Sequence, residues 1–145
     1  MVRLSDHWFG RENLSVVWGL KGSKMTRFVH RDVLRTAWYP VAQTEDVSDA
    51  PLAVRLLGDD LVVWRGLNGA LAVAPDRCPH REAPLSIGTV SNGQLSCAYH
   101  GWAFDPDGTC ISIPSSGPGA SVPPTAHLPC MRVQERYGLV WVCPG

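Results

Sequence analysis

Two short segments of this chain each place a cysteine close to a histidine, and together they offer four metal ligands. The first is Cys78-Pro79-His80 and the second is Cys97-Ala98-Tyr99-His100. A set of two cysteines and two histidines can hold a tetrahedral zinc ion, but zinc fingers usually place both cysteines before both histidines. The alternating order here favours a two-iron, two-sulfur cluster, in which each segment gives its thiolate to one iron and its imidazole to the other.

The residues that flank these pairs indicate a family. The segments 78–88 and 97–108 resemble the Rieske domain of the ring-hydroxylating and related non-haem iron oxygenases. Arg81 directly after the first histidine, and Gly101-Trp102 directly after the second, match the oxygenase components of that family. The resemblance runs over residues 33–145. It implies the fold that Rieske iron–sulfur proteins share.

The resemblance also implies a cofactor and its ligands. The cofactor would be a Rieske-type [2Fe-2S] cluster, with two cysteines on one iron and two histidines on the other. The implied ligands are Cys78, Cys97, His80 and His100. High-potential Rieske proteins place a serine hydroxyl beside a bridging sulfide at the position that Trp102 occupies here. Because an indole has no hydroxyl, we expect a potential of about −150 mV, at the low end of the Rieske range.

Oxygenases of this family contain a second iron site, which the resemblance places after the Rieske domain. That mononuclear iron is held by two histidines and one carboxylate. The remaining histidines are isolated in sequence, and the chain ends where the family's Rieske domain ends, so we expect no complete catalytic site here. These histidines are His7, His30 and His127.

The family further implies partners for an electron-transfer domain. A flavin- or ferredoxin-type reductase would supply one electron at a time, and a mononuclear-iron catalytic domain would receive it. In the family three subunits pack head to tail, so the electron crosses to a neighbouring subunit. A full-length protein is therefore expected to be a homotrimer.

Two alternatives remain open at this point. The first is a stand-alone Rieske ferredoxin, a carrier without catalytic duty, against which Gly101-Trp102 and the end of the chain at Gly145 both argue. The second is a structural zinc module, which the same four ligands could build. Ultraviolet–visible absorption distinguishes a zinc module from an iron–sulfur protein, because iron–sulfur proteins are brown and zinc proteins are colourless.

Short strands separated by turns must position the four ligands. Asn-Gly dipeptides are favoured in hairpin turns whose two central residues need positive φ. Four turns are predicted, at 58–60, Asn68-Gly69, Asn92-Gly93 and Tyr137-Gly138. Strands at this spacing predict an all-β fold, a small antiparallel sandwich or barrel, to which the resemblance adds a cluster-binding subdomain of two loops.

Residues 1–30 differ from the remainder and are predicted to be an N-terminal extension or linker. Residues 31–145 are then the Rieske domain. The segment 19–24 is rich in glycine, serine and lysine, which is typical of a flexible linker. Met25 follows it directly, and we interpret this methionine as an alternative start of the protein.

Composition excludes several classes of protein. Thirteen basic and thirteen acidic residues give a formal charge of zero, which indicates neither a nucleic-acid nor an acidic partner. The sequence has no run of about 18 apolar residues that could span a membrane, and its N-terminus lacks an apolar segment of signal-peptide length. We therefore expect a cytoplasmic protein with no membrane or nucleic-acid partner.

Three cysteines lie outside the predicted site. In a reducing cytosol such cysteines persist as small, buried, apolar side chains. They are Cys110, Cys130 and Cys143.

Overall fold

The computed structural model describes residues 14–15, 29–117 and 121–145 of the chain. The strands are β1 (Leu14–Ser15), β2 (Val29–His30), β3 (Tyr39–Gln43), β4 (Leu52–Leu56), β5 (Asp59–Arg65), β6 (Leu71–Pro75), β7 (Thr89–Ser91), β8 (Gln94–Ser96), β9 (Ala103–Phe104), β10 (Cys110–Ser112), β11 (Arg132–Arg136) and β12 (Leu139–Cys143). Helix α1 spans Arg31–Arg35, and short 3-10 helices span Thr44–Asp46 and Pro114–Ser116. Within the described residues, no helix is long and apolar enough to cross a membrane.

The strands pair in antiparallel fashion throughout the described residues. The sheets have the orders β1-β2, β10-β9-β8-β7, β11-β12-β3 and β4-β5-β6. The predicted all-β fold is thereby confirmed.

The sheet β4-β5-β6 lies between the other two large sheets. Alternate side chains of β5 enter two different apolar clusters. Val62 and Trp64 pack with residues of β8 and β9, whereas Leu61 and Val63 pack with residues of β12. Because β5 is buried on both faces, its sequence is a continuous apolar run rather than an alternating one.

Polar contacts close the sandwich on the side away from the two cysteine–histidine loops. The N–H of Met131 donates to the carbonyl of Val73 on β6 at 2.8 Å, which joins the start of β11 to the central sheet. The Arg65 guanidinium donates to the carbonyl of Val47 at 3.1 Å and forms an ion pair with Glu135 at 3.0 Å. These contacts hold the sheet β11-β12-β3 against the central sheet β4-β5-β6.

Two of the predicted turns are confirmed in detail. Asn92 and Gly93 have φ values of +51° and +75°, and Tyr137 and Gly138 have values of +57° and +71°. Positive φ at both central residues defines the type I′ turn, whose twist matches that of the flanking strands.

The other two turns differ from the prediction. The turn placed at 58–60 lies one residue earlier, at Leu57 and Gly58 with φ of +52° and +89°, because β5 already begins at Asp59. At Asn68-Gly69 only the glycine has positive φ, at +80°. β5 ends at Arg65 and β6 begins at Leu71, and the N–H of Gly66 donates to the Ala70 carbonyl at 2.8 Å. The loop inside this bond is residues 67–69, three residues that end in a left-handed glycine, which is a common alternative to the two-residue turn.

The predicted N-terminal extension falls largely outside the described residues, as does Met25. Before residue 29 only β1 is described, and it pairs with β2 so that Leu14 lies opposite His30. The division at residue 30 stays a prediction.

Replacing Gly93 with alanine should destabilise the protein more than the same change at Gly69. Both glycines have positive φ, +75° and +80°, so both variants bear the cost of about 1–2 kcal/mol for a left-handed alanine. A Cβ at Gly93 would lie 1.9 Å from the backbone nitrogen of Leu67, whereas one at Gly69 meets nothing within 4 Å. The forced backbone shift should add about 1–3 kcal/mol. Urea unfolding of both variants measures the difference, and equal midpoints would contradict this close approach.

Candidate metal centre

Two loops carry the predicted ligands. The first connects the end of β6 to β7, and the second connects β8 to β9. The loops bring Cys78 and Cys97 into one apolar cluster, where the two residues are 2% and 4% exposed. Burial, with a further contribution from the neighbouring thiol, raises the pKa of Cys78 to about 11. A thiol with so high a pKa is a poor nucleophile, and its thiolate needs a cation beside it.

The two histidine rings are also adjacent. The centroids of His80 and His100 are 4.6 Å apart, and the ring planes meet at 62°. The Nδ1 of His80 is buried and has no hydrogen-bond partner among the described residues. Burial, together with the nearby His100 and Arg81, lowers the pKa of His80. The neutral imidazole that results is the form that binds metals, and a metal ion would satisfy the unpartnered nitrogen.

An aromatic ring lies against each histidine. Trp102 stacks on His80 with a centroid distance of 4.8 Å and an interplanar angle of 3°. Tyr99 lies against His100 at 4.0 Å and 46°. His80 is half-buried, whereas His100 and Tyr99 are exposed. The two imidazoles therefore differ in access to solvent.

The two loops share one hydrogen-bond frame. In each loop the cysteine N–H donates to the carbonyl five residues on, and the cysteine carbonyl accepts from the N–H four residues on, at 2.8 to 3.0 Å. The residues five positions on are Ala83 and Trp102, and those four positions on are Glu82 and Gly101. Both Glu82 and Gly101 have positive φ, at +58° and +70°. The histidines occupy the second and third positions after their cysteines within this common frame.

Backbone groups also point at the first sulfur. The backbone N–H groups of His80 and Arg81 lower the pKa of Cys78 and partly oppose the effect of burial. Hydrogen bonds to ligand sulfurs tune the potential of an iron–sulfur cluster. The Arg81 side chain itself is exposed.

The predicted ligands divide into two pairs. Two thiols lie together and two imidazole rings lie together. In the described part of the chain, no group of three or more His, Cys, Asp or Glu side chains is arranged around a single ion position. This arrangement suits two thiolates on one iron and two imidazoles on the other.

The remaining predicted residues lie away from this centre. Cys110 and Cys143 are buried and Cys130 is half-buried, and all three are free thiols. Burial raises the pKa of Cys130 to about 11. Burial also raises the pKa of Cys110. His127 is exposed and its backbone bridges to Thr109. His7 and the side chain of His30 lie outside the described residues.

Sequence reasoning did not recognise Asp76 as part of the site. Its carboxylate accepts the backbone N–H groups of Leu85 and Ser86 at 2.6 and 2.7 Å, across the base of the first loop. The signal in the sequence is weak, because an aspartate next to a loop is common in ordinary turns.

The chain matches a family model described as the Rieske [2Fe-2S] domain over residues 37–132. It is 42% identical over 114 residues to the phenoxybenzoate dioxygenase subunit alpha of Ectopseudomonas oleovorans, covering 79% of this chain and 28% of that protein. It is 41% identical over 118 residues to the methylxanthine N1-demethylase NdmA of Pseudomonas putida, covering 77% of this chain and 33% of that protein.

Solved structures give the same result. NdmA of Pseudomonas putida CBB5 superposes with a TM-score of 0.75 at 40% identity, over 79% of this chain and 36% of that chain. Apo dicamba monooxygenase superposes with a TM-score of 0.72 at 42% identity, over 77% of this chain and 34% of that chain. This chain spans about a third of the length of these relatives.

Proposed function

Because this chain belongs to the Rieske [2Fe-2S] domain family, we propose that it is the electron-accepting domain of a non-haem iron oxygenase. The family implies a Rieske-type [2Fe-2S] cluster, and the curated relatives include oxygenase and demethylase subunits. When bound, such a cluster supplies one-electron redox chemistry. The family match is to an iron–sulfur domain, so the zinc module that the sequence left open is set aside.

We propose that Cys78 and Cys97 bind one iron and that His80 and His100 bind the other. Support comes from the contact between the two thiols and from the imidazole rings 4.6 Å apart. The buried, unpartnered Nδ1 of His80 supports a role for this nitrogen as the ligand atom. This adjacency of two ligand pairs from two loops is the observation that carries the proposal.

The proposed partners are those that the family implies, and the exposure of the site is compatible with their docking. A flavin- or ferredoxin-type reductase supplies electrons, and a mononuclear-iron catalytic domain receives them, in the same or a neighbouring subunit of a homotrimer. His100 is exposed and Tyr99 is 63% exposed, so this edge of the site offers a short electron path to a docked partner. The rings of Trp102 and His80 lie on the inner side.

Domain limits and location belong to the same proposal. We assign residues 31–145 to the cluster-binding domain, which contains the matched stretch 37–132. A cytoplasmic location is supported by the free thiols of the described residues, since oxidising compartments favour disulfides. The sequence that follows codon 145 in the genome tests the oxygenase assignment, because a two-histidine, one-carboxylate motif should lie downstream.

Substituting Cys97 should abolish the cluster. Cys97→Ser should yield a protein without the brown colour and without the rhombic EPR signal of the reduced state, because one iron loses a thiolate. Cys110→Ser is a matched control, since Cys110 is equally buried, at 4% exposure, in the same apolar cluster but outside the two loops. Circular dichroism verifies that both variants fold. A Cys97→Ser variant that kept its colour and signal would refute the ligand assignment.

The midpoint potential should lie near the low end of the Rieske range, at about −150 mV. The physical reason is the absence of a hydroxyl at Trp102, where high-potential proteins donate a hydrogen bond to the cluster. A redox titration followed by visible absorption measures the potential. A value above roughly +100 mV would argue against an oxygenase-type centre.

Trp102 should help to retain the cluster by holding the His80 ring. Aromatic stacking contributes about 0.5–1.5 kcal/mol, so Trp102→Ala should release iron to a chelator roughly two- to tenfold faster than the wild type. Trp102→Phe keeps a ring against His80 and should stay close to the wild-type rate.

Trp141→Ala serves as the control for this pair. Trp141 lies on β12, where its Nε1 donates to the Arg136 carbonyl at 3.0 Å, so its loss should leave the release rate unchanged. If Trp102→Ala released iron no faster than Trp141→Ala, the stack would have no role in holding the ligand.

A further inference from the structure

The two cluster loops are closed at their bases in different ways. The second loop is closed by strand pairing, because β8 and β9 are neighbours in one sheet, with Leu95 opposite Phe104 and Ser96 opposite Ala103. The first loop has no such ladder among the described residues. It leaves β6 at Pro75, and the next strand, β7, begins only at Thr89 and pairs with β8.

Counting from each cysteine shows what replaces the ladder. Leu95 and Phe104 lie two positions before and seven positions after Cys97. The equivalent positions around Cys78 are Asp76 and Leu85. Without strand pairing, the first loop needs another donor–acceptor set at its base.

The carboxylate of Asp76 supplies the acceptors. Its Oδ1 accepts the N–H groups of Leu85 and Ser86 at 2.6 and 2.7 Å, and its Oδ2 accepts the Ser86 hydroxyl at 2.5 Å. The N–H of Asp76 donates to the carbonyl of Asp60 on β5 at 2.9 Å. We call this set of hydrogen bonds from Leu85 and Ser86 to the Asp76 carboxylate the Asp76 clamp. The backbone of Asp76 fixes the clamp to the central sheet, and the carboxylate of Asp76 holds the far side of the loop. Hydrogen bonds to an ionised carboxylate are roughly twice as strong as neutral ones.

The clamped residues connect the first loop with the second. Leu85 is fully buried in the apolar cluster that contains both Cys78 and Cys97. Its carbonyl accepts the N–H of Gly88 at 2.9 Å, and a Cβ at Gly88 would lie 2.1 Å from the carbonyl oxygen of Ser96. The end of the first loop therefore packs directly on the residue that precedes Cys97.

The first loop also contains a residue whose backbone conformation is unfavourable. Glu82 has φ of +58°, a left-handed geometry that is uncommon for residues other than glycine. The second loop has a glycine at the equivalent position, Gly101, which adopts this geometry readily. The first loop thus depends more than the second on contacts that hold it shut.

We infer that Asp76 is a positioning residue of the metal centre, whose carboxylate takes the place of the missing strand pairing and holds Cys78 and His80 against Cys97 and His100. The inference rests on the proposed function, because it assumes that these four residues bind the cluster. Asp76 acts through the loop and does not itself bind iron.

The test uses the 145-residue chain reconstituted with iron and sulfide, as wild type and as four variants. Asp76→Ala removes the clamp, Asp76→Asn keeps an acceptor without the charge, and Ser86→Ala removes only the hydroxyl contact. Asp107→Ala is the matched control, because Asp107 also accepts a loop N–H, from Thr109 at 2.8 Å, but caps the turn between β9 and β10. Iron release to a chelator and the EPR spectrum are recorded at a temperature where circular dichroism shows every variant folded.

The expected result is a graded series. Asp76→Ala should release iron at least about tenfold faster than the wild type, which corresponds to about 1.4 kcal/mol, and should show a broadened EPR signal. Asp76→Asn and Ser86→Ala should be intermediate, and Asp107→Ala should match the wild type in rate and spectrum. Asp76→Asn shows how far an acceptor suffices without the charge, and Asp107→Ala distinguishes an effect on the cluster loop from a general loss of stability.

Two failures have different meanings. If the wild type binds no cluster at all, the proposed function fails before the variants are compared. If the wild type binds the cluster and Asp76→Ala retains iron and spectrum as the wild type does, the inference about Asp76 is overturned while the proposed function stands. Equal iron release from Asp107→Ala and Asp76→Ala would also overturn it, since the effect would then not be specific to the cluster loop.

Discussion

The contact between two buried thiols sets the conditions for the rest of this domain. Cys78 and Cys97 come from different loops and meet in an apolar cluster, where burial favours the protonated form and raises the pKa of Cys78 to about 11. Metal binding requires thiolates, so the energy that removes these protons must come from the bound iron itself. The domain must therefore hold both loops in place while the site is still a pair of neutral thiols.

The fold meets this requirement by anchoring the first loop on the central sheet, through β6, and the second loop on the sheet β10-β9-β8-β7. Both sheets contribute to the apolar cluster that contains the two cysteines. Each loop begins with the same pair of backbone hydrogen bonds around its cysteine, although the cysteine–histidine spacing differs by one residue. The imidazoles nonetheless meet, since His80 turns inward under Trp102 and His100 turns outward beside Tyr99. A shared frame with unequal spacing thus yields one half-buried and one exposed imidazole.

Sequence reasoning reached the cluster type and the all-β fold because both depend on local signals. The alternation of cysteine and histidine needs no knowledge of the fold, and Asn92-Gly93 specifies its turn from two residues. The turn at Leu57 and Gly58 was misplaced because the register between β4 and β5, rather than the Gly-Asp-Asp sequence, decides where the chain reverses. The part played by Asp76 could not be predicted, because it depends on a strand pairing that one loop has and the other lacks.

The relatives show what such a domain contributes and what it leaves to other parts of a protein. They are named for different compounds, a phenoxybenzoate in one case and a methylxanthine in another, yet each matches this chain over most of its length. The stretch that this chain shares with them includes the match to the Rieske [2Fe-2S] domain, over residues 37–132. The physical demand on this chain is therefore to hold a Rieske-type cluster. The contacts that bring the two thiols and the two imidazoles together are the backbone bonds of the two loops, the aromatic rings against the histidines and the Asp76 carboxylate at the base of the first loop.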